Sequence, residues 1–189
     1  MAKDARVRYT KEILHKSLLL LLKEKPINRI TVKELCAVAD INRSTFYVYY
    51  EDVYDLFDKI ETDFLDRIYE MNTPLSIPQN KKEEMQIYME LCDFLYENKE
   101  LFLSIYGKNG DPGFSRKLIN KVFLWTQDMN KMAIMNYKYE TEQKYAIIYL
   151  LEGTMEIIYE WLKDDCPITI EEMGNLLYRL NYEGINSKK

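Results

Sequence analysis

Apolar residues return at steps of three and four along almost the whole chain, and this period limits what the chain can become more than any other feature. Leu14, Leu18, Leu21 and Leu22 follow it. So do Leu56, Ile60, Phe64 and Ile68, and later Leu118, Val122, Trp125, Met129 and Met132. A 3.6-residue repeat puts one apolar face on a helix. Alternating runs and turn dipeptides are scarce, and six glycines in 189 residues leave little to build hairpins from. The chain is therefore expected to be all-α, with about nine helices.

The helix ends are written in polar and proline residues. A first helix is expected over about Thr10–Glu24, stopped by Pro26. Thr31-Val32-Lys33-Glu34 has the form of a capping box, in which hydroxyl and carboxylate satisfy amides that the helix start leaves unpaired. Val32, Leu35, Cys36 and Ala39 make the buried stripe behind it. Asn42 caps a third helix, expected to reach about Tyr49, and Asp52 with Asp55 opens a fourth that runs to about Met71. The stretch Thr73-Pro74-Leu75-Ser76-Ile77-Pro78 breaks the helical pattern. It sets the expected division: a head of residues 1–50, a connecting helix over 52–71 and a body of 72–189. In the body, Asn80 with Glu83, Thr141, and Thr169 with Glu172 mark further helix starts, and residues 107–113 form a loop.

Charge is divided in the same place. The net charge of −5 argues at first against a nucleic-acid partner, but its distribution argues for one. The first 50 residues carry ten Lys/Arg against five Asp/Glu, and the rest carry 16 against 26. A basic head on an acidic body suits an anion-binding role for the head. Cys36, Cys92 and Cys166 are too far apart for a zinc site, and His15 is the only histidine, so no metal, disulfide or cofactor is expected. No set of acids, bases and nucleophiles suggests an enzyme. The longest apolar run, Leu18 to Leu22, is far too short to span a membrane, and the N-terminal residues lack an apolar signal region, so a cytoplasmic protein is expected.

The segment Arg43–Tyr50 is crowded with hydroxyls. On a helical wheel Phe46 and Tyr50 face inward, Ser44, Tyr47 and Val48 face away, Thr45 lies on the flank and Arg43 at the N-terminal end. That outer face lacks the apolar anchors of a protein interface. It suits a DNA groove, where hydroxyls bond phosphates or base edges and Arg pairs with guanine. Two short helices joined by a tight turn, the second laid against bases, make a helix-turn-helix. An ordinary helical hairpin with a tyrosine-rich surface has the same outline. The basic first 50 residues favour DNA.

The stretch "TVKELCAVADINRSTFYVYYEDVYDLF" resembles the DNA-binding domain of the TetR family of one-component transcriptional regulators. The family pattern is roughly T-V-x-[DE]-I-A-x-x-A-G-V-S-x-G-T-[LF]-Y-x-[YH]-F-x-[SD]-K-E-x-L. Thr31, Val32, Glu34, Leu35, Cys36, Ala39, Ile41, Thr45, Phe46, Tyr47, Tyr49, Tyr50, Asp52 and Leu56 match it or substitute conservatively. The resemblance implies a three-helix helix-turn-helix head joined to a helical bundle. It assigns Thr31, Tyr47 and Tyr49 to phosphates, and Arg43, Ser44 and Thr45 to bases or nearby backbone. Two departures stand out. Asp40-Ile41 replaces the usual Gly-Val of the turn, where Asp still tolerates the left-handed conformation. Val53 replaces a lysine, which removes one phosphate contact. A basic arm of Lys3, Arg6, Arg8 and Lys11 offers a substitute, as basic tails do in minor grooves, and a solvated, frayed terminus is the equal alternative.

In the body, the Thr141–Lys163 helix carries apolar residues over so wide an arc that it needs neighbours on two sides. Gly153, about 1 kcal/mol worse than alanine inside a helix, would admit a close neighbour. The segment "LLEGTMEIIYEWLKDDCPITIEEMGNLLYRL" also resembles the C-terminal region of a TetR subgroup from low-GC Gram-positive bacteria. The expected homodimer interface is Leu150, Leu151, Met155, Ile158, Leu176, Leu177 and Leu180. Tyr88, Phe94, Tyr106, Trp125, Met129 and Met132 are candidate contacts for a small apolar or aromatic ligand. At helical spacing the same residues serve as core. The resulting expectation is a homodimeric regulator of double-stranded DNA, a repressor released by ligand. The alternative is a regulator-like protein that acts through a protein partner.

Overall fold

Thr31, Asn42, Asn80 and Thr169 each stand just ahead of a helix and accept a hydrogen bond from an amide of its first turn. The donors are Glu34 at 3.3 Å, Ser44 at 3.1 Å, Glu83 at 3.1 Å and Glu172 at 3.2 Å. These caps fix where the chain turns into helix. The structure, a computed structural model, describes residues 2–71, 80–128 and 140–183. Among the described residues there are nine α-helices and no strand: α1 (Ala2–Glu24), α2 (Val32–Ala39), α3 (Arg43–Phe46), α4 (Val53–Met71), α5 (Lys81–Glu97), α6 (Lys99–Tyr106), α7 (Phe114–Asp128), α8 (Glu140–Lys163) and α9 (Ile170–Tyr178). The all-α expectation holds. Two ends differ from it: α1 begins at Ala2 rather than near Thr10, and α3 is a single turn. The proline break at 73–78 lies outside the described residues.

The chain divides into two compact units, Met1–Asp66 with Ser104–Pro112 and Arg67–Leu103 with Gly113–Lys189. In the first, α1 lies against α2 and α2 against α3. Leu14, Leu18 and Leu22 of α1, Leu35 of α2, Phe46 of α3 and Leu56 of α4 are shut away from solvent. Each such side chain contributes about 1.5–3 kcal/mol of burial. The loop after α6 belongs here through Asn109. Its side-chain amide donates to the Leu22 carbonyl at 2.9 Å, and its own carbonyl accepts from the Ile27 amide at 3.1 Å. One residue thereby satisfies a carbonyl of the last turn of α1 and holds the turn that follows. Gly110 makes this possible, because a Cβ there would sit 1.9 Å from the Ile105 carbonyl oxygen.

In the second unit α9 packs closely on α5, and α8 packs on α7 and α5. Gly174 permits the first contact: a Cβ would stand 2.6 Å from Cγ of Met89. The core holds Leu95, Phe102, Phe114, Ile158, Leu162 and Leu177. Met155, Ile158 and Leu177, expected to face a partner subunit, are thus core residues of their own unit. The reason is that α5 and α7 already cover part of the wide apolar arc of α8, and α9 turns Leu177 inward. Leu150, Leu151 and Leu176 are half-buried, and Leu180 is exposed. After α8, Asp165 and Cys166 take left-handed backbone angles (φ 62° and 57°). Trp161 Nε1 closes this loop by donating to the Ile168 carbonyl at 2.8 Å, and Lys99 pairs with Asp165 at 2.8 Å.

Glu34 ties the start of α2 to the end of α1. Its carboxylate takes Lys25 Nζ at 2.6 Å, and also the amide and hydroxyl of Thr31 at 3.1 and 2.8 Å. The Lys25 hydrogen bond and those from Thr31 hold its pKa at about 2, against an ordinary 4.5. A depressed carboxyl pKa contributes stability that is complete above 4.5 and is lost as pH falls toward 2. Urea midpoints measured from pH 6 to pH 2.5 should therefore show wild type above Glu34→Gln at pH 6, with the gap closing below pH 4.5. A gap independent of pH would contradict this account of the carboxylate.

Candidate nucleic-acid interface

The turn between α2 and α3 needs one residue in the left-handed region, and Asp40 supplies it at φ 51°, ψ 44°. The Ile41 amide then reaches back to the Cys36 carbonyl at 3.0 Å, and Asn42 caps α3. The α conformation ends at Phe46, and the chain continues through a turn in which the Tyr49 and Tyr50 amides both donate to the Phe46 carbonyl, at 2.9 and 3.1 Å. The expected helix to Tyr49 is therefore one turn of helix and one of tight turn. Two aromatic side chains hold it. Phe46 is fully buried and Tyr50 4% exposed, with ring centroids 5.7 Å apart.

The outward face follows from that inward one. Arg43 and Ser44 are exposed, Tyr47 is 58% and Val48 72% exposed, and Thr45 and Tyr49 are half-buried. All five DNA-contact candidates on this segment, Arg43, Ser44, Thr45, Tyr47 and Tyr49, thus lie at or near one surface. Thr31 is exposed too, but its hydroxyl is engaged in both directions by Glu34. The face carries a single cation and several hydroxyl donors. That is chemistry for phosphate oxygens and base edges.

Two supports beneath α3 had no signal in the sequence. His15 Nε2 lies 3.2 Å from the Tyr50 hydroxyl, joining α1 to the buried ring. Burial pushes the His15 pKa below its ordinary value, with Lys11 adding to the effect and Asp63 opposing it. Burial likewise raises the Tyr50 phenol to about 12, with Asp63 and Asp55 adding to it. On the other side, Lys59 Nζ bonds Asp55 at 2.9 Å, stands 5.1 Å from the centre of the Tyr50 ring and reaches the Tyr49 carbonyl at 3.4 Å. Val53, where the family pattern carries lysine, is buried in the core.

The ligand candidates do not assemble in this way. Tyr106 falls in the first compact unit, and Tyr88 and Phe94 in the second. Phe94 is buried beneath the guanidinium of Arg67, 4.9 Å from its ring centre. Tyr88 hydrogen-bonds Asn181, whose amide also donates to Thr154 Oγ1 at 2.8 Å. The side chain of Trp125, and Met129 and Met132 entirely, lie outside the described residues. Among those residues no group of His, Cys, Asp or Glu could hold a metal ion, and no helix is long and apolar enough to cross a membrane.

The chain matches the family model of the TetR transcriptional regulator C-terminal region over residues 82–182, more than half its length. The chain belongs to the TetR family. It is 25% identical over 173 residues to the HTH-type transcriptional regulator YxbF of Bacillus subtilis (strain 168). The match covers 87% of this chain and 42% of YxbF, so the chain spans less than half the length of that curated relative. Solved TetR-family structures share the fold. A TetR regulator from Streptococcus agalactiae 2603V is 18% identical, with a TM-score of 0.66 over 96% of this chain and 98% of that one. The regulator FadR from Bacillus subtilis, solved with stearoyl-CoA, is 14% identical, with a TM-score of 0.60 over 93% and 99%.

The depressed His15 pKa makes a prediction. A histidine that stays neutral in the fold binds fewer protons than in the unfolded chain, so stability falls as pH drops below the ordinary 6.5. Wild type should lose more stability between pH 7 and pH 5 than His15→Gln, measured by urea unfolding. Equal losses would place the titration elsewhere.

Proposed function

We propose that the chain binds double-stranded DNA as a homodimer and represses transcription until a small apolar ligand releases it. The observation that carries this reading is the outward face of α3. Its hydroxyls and its one guanidinium are presented to solvent by a segment whose Phe46 and Tyr50 are buried beneath it. In the proposal Arg43 reads a base, Ser44 and Thr45 meet base edges or nearby backbone, and Tyr47 and Tyr49 hold phosphates. Thr31 reaches phosphate by giving up its hydrogen bond to the Glu34 carboxylate.

Dimerisation through α8 and the end of α9 would present two such faces to a palindromic site. On α8 the exposed side chains Tyr145 and Tyr149 lie in line with Gly153, which has open space where a Cβ would stand. Leu150, Leu151, Leu176 and Leu180 flank that face, while the buried Met155, Ile158 and Leu177 support it from within. A ligand acts by binding one spacing of the two heads better than another, and it shifts DNA affinity by that difference. FadR of Bacillus subtilis holds stearoyl-CoA. The ligand proposed is an apolar or aromatic molecule. The second reading, action through a partner protein, is favoured by the start of α4. There Val53 stands where the family pattern carries lysine, and Glu51 and Asp52 beside it are exposed.

Titration of DNA binding against salt separates the two. A specific DNA-binding dimer binds its own upstream sequence tightly and loses affinity steeply as salt rises. A co-regulator binds weakly and without preference. Arg43→Ala should reduce discrimination between sequences by about 1–3 kcal/mol, and Tyr47→Phe should weaken binding to all sequences by about 1 kcal/mol. Intact preference in Arg43→Ala would remove it as the base reader. Tyr149→Glu combined with Leu180→Glu should yield folded monomers by light scattering. A persistent dimer would move the interface elsewhere.

A further inference from the structure

A cleft of about 410 Å³ opens in the first unit beside α3. Arg6 and Thr10 of α1 line one side, and Asp40, Asn42, Thr45 and Tyr49 the other. Because α1 begins at Ala2, Arg6 stands on a formed helix and not on a loose arm. Arg6 and Thr10 are one turn apart, so both side chains reach the same wall.

The hydrogen-bond state of these groups shows what the cleft can receive. The Thr10 hydroxyl is spent on the Arg6 carbonyl at 2.9 Å. Asn42 Oδ1 is spent on the Ser44 amide, which leaves the amide nitrogen as a donor. The Thr45 and Tyr49 hydroxyls make no hydrogen bond, and Arg6 no ion pair, among the described residues. Elsewhere in the first unit Lys16, Lys25 and Lys59 are held by Glu12, Glu34 and Asp55 at 2.7, 2.6 and 2.9 Å. Arg6 is therefore an uncommitted cation flanking α3, with neutral donors opposite. Asp40 supplies the opposing charge.

We propose that this cleft seats a backbone phosphate of the duplex, held by Arg6 with the hydroxyls of Thr45 and Tyr49, and that Asp40 weakens the contact by partly cancelling the charge of Arg6. The inference rests on the DNA-binding reading above and extends the phosphate contact given there to Tyr49 across the cleft to Arg6 of α1. It gives the acidic turn residue a second role: Asp40 closes the turn through its backbone and lowers affinity through its side chain. Arg6 is exposed, and asparagine tolerates the left-handed conformation at position 40, so both substitutions leave the fold in place.

The test uses the full chain, a duplex of its own upstream sequence and an unrelated duplex of equal length, each titrated at several salt concentrations. Arg6→Ala should weaken binding about tenfold on both duplexes and reduce the slope of log affinity against log salt by about 0.9. Arg6→Lys should restore the slope, and Asp40→Asn should tighten binding to both duplexes. Unchanged affinity and slope in Arg6→Ala would overturn the phosphate seat, as would a loss confined to the protein's own sequence. Failure of wild type to bind either duplex with a salt dependence would overturn the DNA-binding reading and this inference with it. Loss on both duplexes in Arg6→Ala, with the slope recovered in Arg6→Lys, supports the phosphate seat, and unchanged binding in Asp40→Asn would overturn the role given to Asp40.

Discussion

The burial of Phe46 and Tyr50 under α3 is the contact on which the rest depends. A helix of four residues has no stability of its own, because nucleation costs more than one turn of hydrogen bonds returns. It exists here because Phe46 is closed off completely, Tyr50 is pinned by His15 and Lys59, and Asn42 satisfies an amide at its start. With that side fixed inward, Arg43, Ser44 and Tyr47 have no direction left but outward. The polar face is thus a consequence of packing that reaches back to His15 in α1, 35 residues away.

The second unit works by the opposite logic. There the helices are long and share their apolar arcs among several neighbours. α8 gives Ile147, Met155, Ile158 and Leu162 to its own core and still leaves Tyr145, Tyr149 and Gly153 at the surface. Gly174 and Met89 show how close the inner contact between α5 and α9 is. Among the described residues a Cβ at Gly153 would meet nothing within 4 Å, which sets it apart from Gly174.

Local signals in the sequence were reliable because their physics is local. The capping boxes at Thr31 and Thr169, the cap at Asn42, the left-handed Asp40 and the inward pair Phe46 and Tyr50 all stand where the residue pattern puts them. Contacts between distant segments carried no such signal. His15 and Tyr50 are 35 residues apart, and Asn109 and Leu22 are 87 apart. Neither His15 nor Asn109 sits in a recognisable motif. The placement of Met155, Ile158 and Leu177 was missed for a related reason. A helical period gives the width of an apolar arc, but it does not say which neighbour covers which part of it. The length of α1 was also underestimated, since Lys3, Asp4, Arg6 and Arg8 look like a charged tail until they are seen to continue the helix.

The measurement closest to the centre of this account is hydrogen exchange along the chain, with and without a duplex of the protein's own upstream sequence. Duplex should slow exchange of the backbone amides from 42 to 50 and at the start of α2, and leave the core of the second unit near its unbound rate. Protection confined to residues 81–183, or none anywhere at duplex concentrations that saturate binding, would contradict the claim that α3 is the surface that meets DNA.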